Sequence, residues 1–172
     1  MSGGIVLTYE IDDAALLAAL GRMETAGGDL SPAMKEIATH LERSTRMRFE
    51  TESGPTGAKW KPSQRAIEEG GQTLTKSGDL RSSIKSAFTA TTAEAGPERS
   101  FGSAIYAAIH QFGGVIRPVK AKALSFGGRL LAAVTIPARP YVGWSEGDQK
   151  AAAEILTDHL QDVIGGGAGA TA

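Results

Sequence analysis

The sequence predicts an α+β fold: a small antiparallel sheet packed by a long helix and a C-terminal helix, with a projecting β-hairpin. Three observations predict it. Met34, Ile37, Ala38, Leu41, Thr45 and Phe49 recur at spacings of three and four, the stripe of an amphipathic helix. Ala152, Ile155, Leu156, His159, Leu160 and Val163 form a second stripe of the same kind. Between them lie short segments punctuated by Gly-Gly pairs, with too few residues each for anything but turns, strands and short helices.

Taken in order, Ile5, Leu7, Tyr9 and Ile11 alternate with Val6, Thr8 and Glu10, the period of a half-buried strand. Asp12 or Asp13 caps a short helix to about Met23, with Leu16, Leu17 and Leu20 on one face. Ser31-Pro32 opens the long helix, a hydroxyl cap followed by proline at the first helical position, and the helix runs to about Glu52. Its polar face carries Lys35, Glu36, Glu42, Arg43, Arg46 and Arg48, with His40 near the edge of the stripe as a surface or half-buried histidine. Residues 53–62 are a loop that Trp60 anchors to the body. A short helix over 63–69 ends at Gly70-Gly71.

Gly78 permits a tight turn before a helical turn that points Leu80 and Ile84 inward. A strand over 84–95 stops at Gly96-Pro97. Ser103 to Phe112 is a helix whose left-handed cap is supplied by Gly113-Gly114. Val115 to Phe126 and Arg129 to Ile136 are the two sides of a hairpin turned at Gly127-Gly128. Pro137 and Pro140 stiffen an extended path on which Arg139 is presented. Ser145 caps the last helix, and Glu146 and Asp148 suit its positive end. Residues 1–164 read as one domain and 165–172, all glycine, alanine and threonine, as a flexible tail.

Composition narrows the function. The chain has no cysteine, which removes disulfides, thiol catalysis and cysteine zinc sites and fits a reducing cytoplasm. It has no secretory leader pattern and no apolar run long enough to span a bilayer. The net charge is −1, so bulk charge does not predict nucleic-acid binding. Its distribution is uneven. No carboxylate occurs from Arg99 to Ser145, yet Arg99, Arg117, Lys120, Lys122, Arg129 and Arg139 lie there, between acidic ends. Two readings fit: copies meeting head to tail, or an unevenly charged solvated surface.

Chemical motifs are sparse. The glycines and lysines of 54–61 lack the spacing of a phosphate-binding loop. His110, beside Gln111 and near Tyr106, is the candidate general base for a small hydrolase, but no acid or nucleophile motif accompanies it; its alternative is a ring bonded to a backbone carbonyl that holds the Gly113-Gly114 turn. A nucleic-acid reading uses the basic 99–145 region with Phe112, Phe126 and Tyr141 as stacking platforms. No catalytic, cofactor or metal residues are assigned.

Four pieces stand in order: Gly57-Ala58-Lys59-Trp60-Lys61-Pro62 after the Phe49 helix end, Leu74 to Ser83, Tyr106 to Gly114, and Ile136-Pro137-Ala138-Arg139-Pro140-Tyr141-Val142-Gly143. Together, over about residues 30–165, they resemble the phage virion morphogenesis proteins, the tail-completion family of tailed phages of Mu-like and P2-like type. The resemblance implies a non-enzymatic structural protein of the virion neck, assembled in the host cytoplasm, which completes the tail and joins it to the DNA-filled head. It implies a homo-oligomeric ring at the head–tail junction, touching a head-side adaptor and a tail terminator or tube, with possible contact to packaged DNA and none to membrane. Trp60, His110, Gln111, Gly113, Gly114, Arg117, Lys120, Lys122, Arg139 and Pro140 are then candidates for subunit contact or for fixing the fold, with Arg139 and the 117–129 hairpin expected to face a neighbour or the channel.

Overall fold

The computed structural model describes residues 21, 28–98, 104–118, 123–126 and 129–166. The expected strand over 5–11, the helix after it, Lys120, Lys122, Gly127, Gly128 and the last six residues lie outside these.

Helix α1 (Ser31–Thr51) runs through both halves of the core. Its first half packs Ala33, Ile37 and Leu41 against Ala152, Leu156 and Leu160 of the C-terminal helix. Its last turns deliver Phe49 to a second cluster with Trp60, Leu80, Ile84, Ala107 and Tyr141. The Ser31 hydroxyl does not cap the helix. The carboxylate of Asp29 accepts from the Ser31 N–H at 2.9 Å instead, a charged acceptor at the positive helix end. At the other end Glu52 takes a left-handed conformation, and its N–H closes on Arg48 O.

The loop after α1 returns Trp60 to the core, and α2 (Gln64–Glu69) follows, capped by Ser63 Oγ on the Ala66 N–H. A single turn, α3 (Asp79–Ser82), buries Leu80. The single strand expected over 84–95 is a hairpin: β1 (Ile84–Phe88) pairs antiparallel with β2 (Ala93–Pro97), Ile84 opposite Pro97 and Phe88 opposite Ala93. Thr89 makes the turn without glycine, its hydroxyl accepting the N–H groups of Thr91 and Thr92. Gly96 and Pro97 thus lie inside a strand, which two-stranded pairing tolerates because one edge is free. Glu42 on α1 ties this ribbon down by accepting from both the N–H and the hydroxyl of Ser86 at 2.8 and 2.7 Å.

Helix α4 (Ala104–Phe112) leads through Gly113 into β3 (Gly114–Ile116), which pairs with β6 (Val134–Ile136). Farther out, β4 (Leu124–Phe126) pairs with β5 (Arg129–Leu131), with Phe126 opposite Arg129. The two ribbons follow the same chain direction, with β3 and β4 on one side and β5 and β6 on the other. The outer ribbon projects: Leu130 is 78% exposed. Helix α5 (Glu146–Gly166) closes the fold and continues two residues into the glycine run. His159, expected in its packed stripe, is half-buried and bonded to the Asp29 carbonyl at 2.8 Å.

Candidate functional site

The segment 137–143 threads between α1, α4 and the Trp60 loop, and most of the residues singled out in the sequence meet there. Its backbone is short of hydrogen bonds because Pro137 and Pro140 have no N–H. Side chains complete it. Gln111 Oε1 accepts from the N–H groups of Tyr141 and Val142, both at 3.0 Å, and Gln111 Nε2 donates to Val142 O at 2.9 Å. Trp60 Nε1 donates to Pro140 O at 2.9 Å. Tyr141 sends its hydroxyl to Ala107 O at 3.0 Å, one helical turn before Gln111. Burial pushes the Tyr141 phenol well above its ordinary range, so it donates as a neutral group. Phe49 joins the two rings, edge-on to Trp60 at 5.5 Å and tilted against Tyr141 at 5.4 Å.

Gly113 is required by space as well as by conformation. Its φ is +72°, and a Cβ there would sit 2.7 Å from Ala138 N and 2.9 Å from Ile136 O. Gly114 pairs with Ile136 at the root of the hairpin.

Arg139 does not point outward from its proline rail. It is 4% exposed, with Nε donating to Lys61 O at 2.7 Å and Nη2 to Pro62 O at 3.3 Å. Its backbone N–H donates to His110 O at 2.8 Å. The prolines fix the backbone, but the Trp60 loop lies over the side chain and supplies carbonyl acceptors, so the guanidinium turns in. Arg117, by contrast, is exposed just after β3.

His110 also differs from expectation. Among the described residues its ring bonds no backbone carbonyl and its buried Nδ1 has no hydrogen-bond partner; the ring stands edge-on to Tyr106 at 4.6 Å. Burial, aided by the positive charge of Arg139, holds the imidazole below its usual pKa. Among the described residues no carboxylate bonds this ring, and no cluster of three or more potential ligands could hold a metal.

A second polar centre was not legible as such. Asp148, 2% exposed, accepts from Arg48 Nη2 at 2.5 Å and lies 3.0 Å from His40 Nε2. It also closes a reciprocal cap with Ser145: the Ser145 N–H reaches Asp148 Oδ2 at 2.9 Å and the Asp148 N–H reaches Ser145 Oγ at 3.1 Å. Burial raises the Asp148 pKa, but bonds from Ser44 and Ser145 and the charge of Arg48 outweigh it and the net direction is down. Arg48, placed on the solvated face by its charge, is buried and also donates to Tyr141 O and Gly143 O at 2.9 and 2.8 Å. Its spacing was the available signal, since it stands seven residues after Leu41 and three after Thr45. His40 has the carboxylate partner that the sequence did not reveal.

The arrangement is a scaffold. Apart from His110 Nδ1, the polar groups described above bond backbone carbonyls, N–H groups and one another. The sequence profile of the phage virion morphogenesis family matches residues 11–161. The chain belongs to the phage virion morphogenesis family. A relative within reach is the Mu-like prophage FluMu G protein 2 of Haemophilus influenzae, 31% identical over 160 residues, covering 92% of this chain and 99% of the relative. No solved structure matches significantly. Membership in the phage virion morphogenesis family gives the protein a structural role in the phage virion, and the aromatic and Gln111 clasps are the features of this chain that hold such a subunit in shape. Among the described residues no helix is long and apolar enough to cross a membrane.

Proposed function

We propose that the protein completes the phage tail and joins it to the DNA-filled head, as a ring of identical subunits at the head–tail junction. The family match over nearly the whole chain carries this reading. Two open surfaces support the ring. One is apolar and basic: Phe112 is 60% exposed, Val115 and Ile116 are exposed after it in sequence, Arg117 follows, and Leu130 on β5 is exposed as well. The other is the outer face of α5, where Glu146, Glu154, Asp158 and Asp162 are exposed with Lys150. A contact between two different surfaces of one subunit closes into a ring when the rotation permits.

The ring's faces then meet a head-side adaptor and a tail terminator or tube. Its test is a peptide tag fused after residue 166 and located by gold labelling on intact particles. Label at the neck supports the reading, and label along the tail or on the capsid shell overturns it. DNA binding by the basic hairpin is the competing reading, favoured by the carboxylate-free run around Arg117. Salt-sensitive retention of duplex DNA by the purified protein would support that reading.

A further inference from the structure

Beside the 137–143 segment lies a cavity of about 310 Å³, with walls from α2, the 74–80 turn, α4 and Arg139. Two groups facing it have unmet demands. Arg139 is a nearly fully buried cation whose described bonds go only to two carbonyls; among the described residues no carboxylate pairs with it. Among the described residues, the buried Nδ1 of His110 has no hydrogen-bond partner. A buried charge without a counter-charge and a buried polar atom without a hydrogen bond are both costly, and here they line one space. Arg65 and Lys76 add positive charge to the wall. The one carboxylate there, Asp79, is exposed and makes no ion pair with any of the three.

We propose that this cavity is a binding site for a single carboxylate group. A carboxylate supplies the missing charge to Arg139 and an acceptor for an imidazole N–H, which His110 can present by choice of tautomer. Leu74 and Leu80 line the same space and suit the short aliphatic stem that carries such a group. A phosphate is the poorer fit. It brings more negative charge beside Asp79, which stands in the same wall. Duplex phosphates, on a convex surface, do not enter a recess. The carboxylate comes either from a free small acid or from an acidic side chain or chain end of a neighbouring protein; the chemistry is the same. The proposal does not depend on the head–tail reading.

The test uses the full chain with labelled histidine ring nitrogens, titrated at constant ionic strength with acetate, with a capped Gly-Glu-Gly peptide and with inorganic phosphate. The chain has three histidines, so His40 and His159 serve as internal controls. The expected result is a saturable shift of His110 alone with acetate or the peptide, weakened about tenfold in His110→Phe as read from the Leu74 and Leu80 methyl signals. Tighter binding of the peptide assigns the carboxylate to a protein chain, and tighter binding of acetate assigns it to a free acid. Equal or tighter binding of phosphate, or no saturable shift, overturns the proposal. Unchanged acetate affinity in a folded His110→Phe protein would equally overturn the assignment of His110.

Discussion

Gln111 and Tyr141 join α4 to the 137–143 segment through two bonds: the Gln111 side chain accepts the Tyr141 N–H at 3.0 Å, and the Tyr141 hydroxyl donates to Ala107 O on α4, also at 3.0 Å. One amide side chain thus replaces the strand that a proline-flanked segment cannot recruit. Gln111→Ala strands two N–H groups and is expected to cost about 2–3 kcal/mol, read from urea unfolding. Gln111→Glu keeps an acceptor but buries a carboxylate against Val142 O, so it should also destabilise. An alanine variant as stable as wild type would remove the clasp from the account.

Asp148 is the counter-charge for Arg48 and the cap partner of Ser145. Asp148→Ala leaves Arg48 buried and unpaired, at an expected cost of about 3–5 kcal/mol. Replacing Arg48 by Met in the same chain should recover part of the loss, because the orphaned charge goes with it. A double variant no more stable than Asp148→Ala would contradict this. The pH dependence has a definite sign. The folded pKa of Asp148 is depressed, so its contribution is present above the ordinary carboxylate pKa of 3.8 and is lost as pH falls through the folded value. Asp148→Asn should flatten the acid limb of a thermal-stability profile.

His110 gives a second pH window. Its folded pKa lies below 6.5, so the folded state resists protonation; the stability held above pH 6.5 is lost as pH falls through the folded value. His110→Phe should be less sensitive over that window by differential scanning calorimetry. An identical pH slope in the two proteins would show that the ring is not buried as described.

Gly113→Ala is expected to destabilise by more than the roughly 1–2 kcal/mol of a left-handed φ alone, because the added carbon meets Ala138 N at 2.7 Å. Gly57 also has a positive φ, but a Cβ there meets nothing, so Gly57→Ala is the control and should cost only the conformational part. Equal costs at the two sites would count against the close approach of the 137–143 segment to Gly113.

Charge reversal of Arg117, Lys120 and Lys122 together should impair assembly while leaving the monomer's melting temperature nearly unchanged. The ratio of ring to monomer by mass photometry reads the first, and normal rings would move the contact elsewhere.

The long helices, the α4 cap and the hairpin at 124–131 were legible because periodicity and Gly-Gly punctuation are local signals. Trp60 was legible as an anchor because an aromatic residue in a polar loop has little else to do. The Asp148 centre was not, since its members come from positions 40, 48 and 148 and no local pattern joins them. Arg48 reads as solvent-facing by its charge, while its spacing belongs to the buried stripe. The inward turn of Arg139 was hidden for a related reason: its acceptors are the carbonyls of Lys61 and Pro62, and carbonyls leave no mark in a sequence. The hairpin at 84–97 was missed because threonine hydroxyls, not glycine, make its turn.

The most direct test of the central claim is electron microscopy of particles from a phage or prophage that lacks this gene. The account predicts DNA-filled heads beside separate tails, restored to joined particles when the protein is supplied. Complete, joined and infectious particles in its absence would contradict it.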